Sequence, residues 1–460
     1  MALCYWQDAI VTPGSNPDIT EQTLPIWPDT DCYEAVAARP TSARQRHSNG
    51  EANKLRPEDR PVHDWYRFVL SYPPHIVREY IQRFELAPGH RVLDPFCGTG
   101  TTLVESKKLG VESIGVEITP IGHFASLVKT DWDVDPEGLA AHAAEVAQRA
   151  TVLAARTGLR ALDRERARLL LKGSISPRPL HKALVLLDCL REQHDERFHR
   201  AELLALARTL VSHASNLHFG PEVGVGKPKH DVPLFDIWLS LIRGMARDLH
   251  GVEEKRAVRC SVRCADSREI LGVLGPRSVD SVITSPPYPN EKDYTRTTRL
   301  ESVVLGFLNS RSDLQSLKRK LVRSNTRGVY RDDDDDRWVA AHPEIQSIAE
   351  AIESRRVELA KNSGFERMYA RVTRLYFGGM ARHLADLRAV LRPGARLAYV
   401  VGDQASYLRV MIRTGQILAS IASSLGYEVC GIDLFRTRTA TATRDQLREE
   451  VVVLRWPGGE

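Results

Sequence analysis

Two short segments of the sequence contain residues whose types and spacing could do chemistry, and the first is a glycine-rich turn at residues 94–102. Glycines there let the backbone approach a ligand closely, and the helix that follows offers free N–H groups. Leu103 replaces the third glycine of a dinucleotide fingerprint, and no lysine follows Gly100 as a P-loop would require. By itself the segment predicts either a nucleotide-like ligand or simply a tight turn.

Two acidic residues stand where they could serve the same ligand. Glu117 ends a strand-like run about twenty residues past the glycines, where an acid can accept hydrogen bonds from ribose hydroxyls. Asp266 follows a third strand-like run and could reach an adenine amino group. Either acid alone would fit an ordinary residue at a strand end. Together with the glycine turn, the two acids favour adenosine binding.

The second segment is Ser285, Pro286, Pro287 and Tyr288, at the carboxyl end of an apolar run. Adjacent prolines fix the backbone and remove two N–H donors, which leaves carbonyls free to accept hydrogen bonds. A serine hydroxyl and a proline carbonyl could accept both hydrogens of an amino group and hold its nitrogen for attack on a sulfonium methyl. Tyr288 could stack on an extruded base. Had it appeared alone, the tetrapeptide would favour a Pro-Pro turn with a packed tyrosine.

The elements around these segments predict an α/β fold. A helix at 76–84, a strand at 91–93, a helix at 101–109 and a strand at 113–117 indicate a right-handed parallel βαβ unit. Later strands are predicted at 257–264, 279–284, 397–401, 428–435 and 450–456, with a turn at 393–394 and a helix at 408–425. The last two strands would form an antiparallel pair that closes an otherwise parallel sheet. The predicted class is a doubly wound, mostly parallel sheet with largely helical insertions.

Composition excludes some classes of protein and permits others. The 460 residues are 42% hydrophobic, and no apolar run is long enough to cross a bilayer. The N-terminus lacks the pattern of a secretion signal, so we expect a cytoplasmic protein. Seven scattered cysteines fit a reducing compartment, and Cys260 and Cys264 lack the second pair of a zinc site, so we assign no metal. The net charge of +5 permits a polyanionic partner without requiring one.

Taken together, the two segments resemble those of the amino-group DNA methyltransferases. The hallmarks of that family are an Asp-Pro-Phe-x-Gly-x-Gly-Thr loop and a Ser/Asp/Asn-Pro-Pro-Tyr loop, and both are present nearly intact. The likeness also takes in the helix after residues 73–74, Glu117, Asp266, and the stretches 290–296 and 391–394, in pieces that make up roughly half the chain. The order departs from many Ser-Pro-Pro-Tyr enzymes, since the glycine loop comes first.

The resemblance implies a class I, Rossmann-like methyltransferase that uses S-adenosylmethionine, with Glu117 on the ribose and Asp266 on the adenine. It implies cofactor binding by Asp94, Pro95, Phe96, Gly98, Gly100 and Thr101, and catalysis by Ser285, Pro286, Pro287 and Tyr288. Serine in the first catalytic position resembles the cytosine-N4 subgroup, because adenine enzymes more often carry Asp or Asn there.

The expected substrate is therefore the N4 amino group of cytosine in double-stranded DNA. Adenine N6 in DNA, or a base in RNA, is an alternative, and a non-catalytic nucleic-acid-binding subunit with the same fold is a second one. Because the sequence shows no nuclease motif, a restriction or defence role would depend on a separate endonuclease or defence protein. We expect the enzyme to associate with the nucleoid when it binds DNA.

On this basis we predict an irregular arm at 1–62 and a methyltransferase domain in three parts, cofactor-binding at 63–135, catalytic at 251–300 and C-terminal at 366–460. Insertions would occupy 301–365 and 136–250, the latter a largely helical candidate for DNA recognition with a loop at 220–233 and no strand. The acidic run 332–336 is predicted to be an exposed loop. Candidate DNA contacts are Lys227, Lys229, Asp293, Tyr294 and Arg296.

Overall fold

A computed structural model describes residues 55–68, 71–220, 222–290, 292–439 and 446–459. Most of the predicted N-terminal arm lies outside these ranges. The described strands are β1 (Arg91–Asp94), β2 (Glu112–Val116), β3 (Leu217–Phe219), β4 (Val223–Val225), β5 (Cys260–Arg263), β6 (Val279–Thr284), β7 (Leu391–Gly402), β8 (Glu428–Thr439) and β9 (Gln446–Arg455).

The described α-helices alternate with the strands and also fill both insertions. They are α1 (Arg60–His63), α2 (Pro74–Arg83), α3 (Thr101–Lys108), α4 (Pro120–Thr130), α5 (Pro136–Arg156), α6 (Arg164–Leu169), α7 (Pro177–Glu192), α8 (His199–Thr209), α9 (Leu234–Val252), α10 (Tyr294–Thr297), α11 (Arg299–Val304), α12 (Arg311–Lys320), α13 (Pro343–Glu358), α14 (Tyr369–Leu387) and α15 (Thr414–Ser424). None of these described helices has the length and apolarity needed to cross a bilayer.

Seven of the described strands form one sheet, in the order β5-β2-β1-β6-β7-β9-β8. The first five are parallel, and β9 runs antiparallel between β7 and β8. Val92 and Leu93 of the central strand β1 are both fully buried, because helices cover the two faces of the sheet. The predicted doubly wound sheet closed by an antiparallel pair is confirmed.

The helical insertion shares its core with the sheet domain. Ile121 and Phe124 of α4 belong to the same buried cluster as Leu186 of α7 and Trp238 of α9. Trp238 is fully buried, and its indole N–H donates to the Glu202 carbonyl at 3.0 Å. The insertion is thus packed directly on a helix that flanks the glycine-rich turn.

The segment predicted as a loop, 220–233, contains the short strand β4, whereas its described residues from 226 onward have no helix or strand. Strands β3 and β4 pair antiparallel across this region. Gly226 N donates to the Asn216 carbonyl at 2.7 Å, and the Arg296 guanidinium donates to the Val223 carbonyl at 3.3 Å. Strands of three residues are too short to show the alternation that marks a strand in sequence.

The prediction that 332–336 is an exposed loop was wrong for Asp335, whereas Asp332 and Asp334 are exposed. Asp335 is 5% exposed and forms ion pairs with Arg268 and, at 3.4 Å, with Arg382. Asp333 pairs with Arg323 at 2.6 Å. The acidic run is therefore partly folded into the domain, because arginines distant in sequence neutralise it.

Two boundaries near the C-terminus also differ from the prediction. Helix α15 begins at Thr414 instead of near 408, since Leu408 (φ 54°) and Arg409 (φ 67°) have left-handed backbone that cannot start a right-handed helix. Strand β7 begins before the predicted turn, and Gly394 (φ 87°) lies inside it. The glycine permits this local twist where another residue would be strained.

Candidate active site

Both sequence segments open into one cleft of about 710 Å³ above the carboxyl ends of β1, β2, β6 and β7. The residues of the two segments that line it are Pro95, Phe96, Cys97, Gly98, Thr99, Thr101, Ser285, Pro286, Pro287 and Tyr288. Glu117, at the end of β2, and Tyr294 line it as well. Because the carboxyl ends of parallel strands meet at one edge of the sheet, segments nearly two hundred residues apart share one cavity.

The glycine-rich turn needs both of its glycines. Gly98 (φ 52°) and Gly100 (φ 83°) lie in the left-handed region, and Gly100 N donates to the Cys97 carbonyl at 2.7 Å. A Cβ on Gly100 would lie 3.1 Å from Ser126 Oγ and 3.3 Å from its Cα. The turn therefore packs against α4 while its backbone faces the cleft, and α3 begins directly after it.

Asp94 supports this turn from below and does not line the cleft. It is fully buried, and its carboxylate accepts hydrogen bonds from Thr102 at 2.5 Å, Thr284 at 2.6 Å and Phe96 N at 3.1 Å. Burial raises the pKa of Asp94 to about 6. Since Thr284 precedes the second segment, Asp94 ties the two segments together instead of offering a free carboxylate to a ligand.

Glu117 presents a carboxylate to the cleft with acceptor capacity to spare. Its Oε1 accepts from Thr119 N at 2.7 Å and from Thr119 Oγ1 at 2.6 Å, and its Oε2 accepts from Gly98 N at 2.9 Å. Burial raises the pKa of Glu117 above its ordinary value. A carboxylate can accept about four hydrogen bonds, so one acceptor position on Oε2 is free for a ligand hydroxyl.

Asp266 lies beside the cleft, with its carboxylate turned to Arg268. The Arg268 guanidinium bonds to it at 2.6 Å and 3.0 Å, and Arg268 N donates to Oδ1 at 2.9 Å. Its neighbours Ala265 and Ser267 line the cleft. The residue predicted to bind adenine therefore lies at the wall of the cleft, but its two neighbours line the cleft and its own carboxylate does not.

The Ser285 hydroxyl has a fixed direction. It donates to the Val400 carbonyl on β7 at 3.2 Å, and its oxygen, which can accept two hydrogen bonds, also lies near the Tyr288 hydroxyl. The Pro287 carbonyl accepts from Tyr376 at 2.8 Å, whereas no hydrogen bond from the described residues reaches the Pro286 carbonyl. Two hydrogen-bond acceptors, Ser285 Oγ and Pro286 O, are consequently available at the cleft.

Two tyrosines flank these acceptors. Tyr288 N donates to the Tyr294 hydroxyl at 3.2 Å, and Phe68 lies against Tyr294 with ring centroids 6.0 Å apart. A Cβ on Gly402 would lie 3.1 Å from Tyr288 Cε2, so the tyrosine ring packs on bare backbone. The site therefore combines amine acceptors with aromatic surface.

Comparison with known proteins shows what the chain is similar to. A family model described as DNA methylase matches residues 21–121, which contain the glycine-rich turn and Glu117. The chain is 24% identical over 447 residues to Type II methyltransferase M.BsoBI of Geobacillus stearothermophilus, with 88% of this chain and 85% of that one covered. It is 23% identical over 464 residues to Type II methyltransferase M.AvaI of Nostoc sp. (strain PCC 7120), with 88% of each covered. The predicted resemblance to the amino-group DNA methyltransferases is therefore confirmed.

One solved structure, rRNA methyltransferase aviRa from Streptomyces viridochromogenes, aligns with a TM-score of 0.33 at 13% identity over 86% of this chain and 92% of that one. The methyl donor of this methyltransferase is S-adenosylmethionine, as its family and fold imply. The cleft fits such a ligand, because Glu117 keeps an acceptor for a ribose hydroxyl and the turn at Gly98 exposes backbone. Its volume also leaves room for a base beside the cofactor.

The predicted DNA contacts lie in three different settings: in the cleft, bonded within the protein, and exposed on the surface. Tyr294 lines the cleft, whereas Asp293 is 8% exposed and pairs with Lys318 at 2.7 Å. Arg296 and Lys229 are used within the protein: Arg296 bonds to β4, and the Lys229 ammonium donates to the His213 carbonyl at 2.7 Å. Lys227 is exposed beside the β3–β4 hairpin.

Sequence reasoning missed several residues that shape the cleft. Lys129 is 1% exposed and donates to the Thr99 carbonyl of the glycine-rich turn at 2.8 Å, and burial lowers its pKa to about 7. Arg436 and Glu449 on the β8–β9 hairpin also line the cleft. A lysine within a helix and charges on alternating strand positions carry no signal that would distinguish them from surface residues.

Proposed function

We propose that this methyltransferase methylates the N4 amino group of cytosine in double-stranded DNA. The observation that carries the proposal is the direction of the Ser285 hydroxyl. Its hydrogen is given to Val400, so at the cleft Ser285 acts only as an acceptor. An exocyclic amino group has two hydrogens to donate, and Ser285 Oγ and Pro286 O supply two acceptors next to each other in the chain.

Accepting both hydrogens has a chemical consequence for the amine. The lone pair of an exocyclic amino group is delocalised into the ring, and hydrogen bonds from both N–H groups orient the nitrogen toward its electrophile. S-adenosylmethionine, when bound, supplies an electrophilic methyl group. Glu117 and the backbone of the turn at Gly98 would hold it, and Asp266 remains a prediction for adenine recognition. Tyr288 would stack on the base after it leaves the duplex.

The choice of cytosine rests on Ser285 itself. Among the amino-group DNA methyltransferases, serine at this position is typical of cytosine-N4 enzymes, whereas adenine enzymes more often carry Asp or Asn. We further propose that any restriction role depends on a separate endonuclease or defence protein, since the sequence shows no nuclease motif.

The proposal is tested by identifying the methylated base. The purified protein is incubated with labelled S-adenosylmethionine and mixed-sequence duplex DNA, the DNA is digested to nucleosides, and the labelled nucleoside is identified by mass spectrometry. We expect N4-methylcytosine. N6-methyladenine would overturn the assignment of the base, and label in RNA alone, or in no nucleic acid, would overturn the assignment of DNA as the substrate.

The role of Ser285 has a matched control on the same strand pair. Ser285→Ala should lower kcat by roughly 100-fold or more with little change in cofactor affinity, because an acceptor at the reacting amine is lost. Ser281 Oγ donates to the Arg396 carbonyl of β7 at 2.8 Å but does not line the cleft. Ser281→Ala loses the same kind of hydrogen bond and should keep kcat within a few-fold. Similar losses in both variants would show a purely structural role.

A further inference from the structure

A pair of charged residues on the β8–β9 hairpin lies in the cleft beside Tyr288. The Arg436 Nε donates to one oxygen of Glu449 at 2.6 Å, and Nη2 donates to the other at 2.8 Å. Both side chains are largely buried, at 18% and 12% exposure. An arginine held at two points by a carboxylate has a fixed plane, so its remaining N–H groups also have fixed directions.

The position of the pair relative to the catalytic segment follows from Gly402. A Cβ on Gly402 would lie 3.1 Å from Tyr288 Cε2 and 3.3 Å from Glu449 Cγ. The tyrosine ring and the Glu449 side chain therefore meet over the same bare backbone. Gly402 is two residues beyond Val400, whose carbonyl fixes Ser285. The charged pair thus stands next to the place where the target base must lie.

We propose that Arg436, oriented by Glu449, reads the Watson–Crick edge of the flipped cytosine, an inference that rests on the proposed function. A guanidinium has five N–H donors, of which Glu449 takes two. Cytosine carries the acceptors N3 and O2 directly beside its N4 amino group. Adenine offers N1 and then a C–H at the corresponding edge. A planar pair of donors therefore matches cytosine at two points and adenine at one.

Three other cations of the described residues line the same cleft but are placed differently. Arg438 is 40% exposed, lies 3.4 Å from Glu449 and donates to the Asp403 carbonyl at 3.4 Å. Lys292 and Lys320 are single point charges without a planar pair of donors. Arg436 is the cation whose geometry is fixed by two short hydrogen bonds, and it is the one suited to read a base edge.

The experiment combines a change in the protein with a change in the base. Duplexes containing the sequence that the wild type methylates carry either cytosine or 3-deazacytosine, in which N3 is replaced by C–H, at the target position. We expect Arg436→Met to lower kcat/KM on cytosine by roughly 10- to 100-fold, the range for hydrogen bonds to a charged group. On 3-deazacytosine the same substitution should cost several-fold less. Arg436→Lys keeps the charge but loses the planar pair of donors. On cytosine its kcat/KM should lie between those of the wild type and Arg436→Met.

The matched control is Arg455→Met. Arg455 pairs across the same two strands with Glu428 at 2.8 Å, but both side chains are about half exposed and neither lines the cleft. Arg455→Met should keep kcat/KM within about twofold of the wild type. If each of the variants Arg436→Met and Arg436→Lys loses as much kcat/KM on 3-deazacytosine as on cytosine, Arg436 has a structural role and the inference is overturned. Methylation of adenine by the wild type would instead overturn the proposed function, so the two failures are distinguishable.

Discussion

The hydrogen bond between Tyr66 and Glu301 links the wall of the cleft to helix α11. The Tyr66 hydroxyl donates to Glu301 Oε1 at 2.5 Å, and Glu301 is 1% exposed. No described residue hydrogen-bonds to the other oxygen, Oε2. Burial raises the pKa of Glu301 from 4.5 to about 7. At neutral pH and above, the protein therefore holds a poorly compensated buried charge.

Replacing Glu301 should stabilise the protein only at high pH. A raised carboxyl pKa favours folding below pH 4.5, and this contribution is lost as the pH rises through about 7. Glu301→Gln removes the charge and keeps an acceptor for Tyr66, so at pH 8 it should raise the free energy of unfolding by up to about 3 kcal/mol. At pH 5 the gain should fall to below about 1 kcal/mol, because the carboxyl of the folded protein is then still protonated. Denaturant unfolding at both pH values measures this, and an equal gain at both would contradict the charge argument.

At the scale of elements, helix α14 packs against the acidic segment through bare backbone. A Cβ on Gly378 would lie only 1.9 Å from the Asp335 carbonyl oxygen. A Cβ on the next residue, Gly379, would lie 3.3 Å from the Asp335 carboxylate and 3.4 Å from Val322. Gly378 thus allows the backbone approach that brings Asp335 to Arg268.

Alanine substitutions at these adjacent glycines should have different effects. Gly378→Ala forces backbone apart and should lower the free energy of unfolding by about 3 kcal/mol or more. Gly379→Ala gains helix propensity of about 1 kcal/mol and needs only a small shift, so its net effect should be within about 1 kcal/mol. Thermal unfolding of the two variants side by side is the measurement. If the two variants are destabilised equally, the close backbone contact between Gly378 and Asp335 is not what limits substitution in helix α14.

At the scale of the whole molecule, the net charge of +5 gives a weak attraction for DNA that must be concentrated to be useful. Among the predicted phosphate contacts, Lys227 is exposed, whereas the Lys229 ammonium is held by His213. We propose that the β3–β4 hairpin and Lys227 contact the DNA backbone, because Arg296 bonds this hairpin to the segment that follows residues 285–288.

Loss of Lys227 should weaken binding to all DNA sequences alike. Lys227→Ala should lower DNA affinity roughly fivefold at moderate salt and reduce the slope of log K against log salt by about one, since one phosphate contact is lost. Fluorescence anisotropy over a salt series measures both quantities. Lys255→Ala is the control, because Lys255 is exposed beyond the opposite end of α9. If the slope of log K against log salt is the same in both variants, the hairpin is not part of the DNA interface.

The sequence by itself determined the sheet and the two segments that open on its edge. Apolar runs such as 279–284 and left-handed glycines such as Gly100 are short-range signals, because strand periodicity and turn conformation depend on neighbouring residues. Once those strands are parallel, their carboxyl ends must meet, and Gly98, Glu117 and Ser285 are brought to one cleft.

Only the tertiary structure decided which charged and polar groups pair. The Asp94 carboxylate accepts a hydrogen bond from Thr284, and the buried Asp335 carboxylate pairs with Arg268. The Arg436–Glu449 pair also lies beside Tyr288 only because β9 pairs antiparallel with β7, which puts Glu449 opposite Gly402. These partners are separated by up to 190 residues, and a local pattern carries no information about which distant charge will compensate a buried one. Packing of the helices and of the hairpin on the sheet makes that choice, because a buried charge is stable only where a partner is held in place.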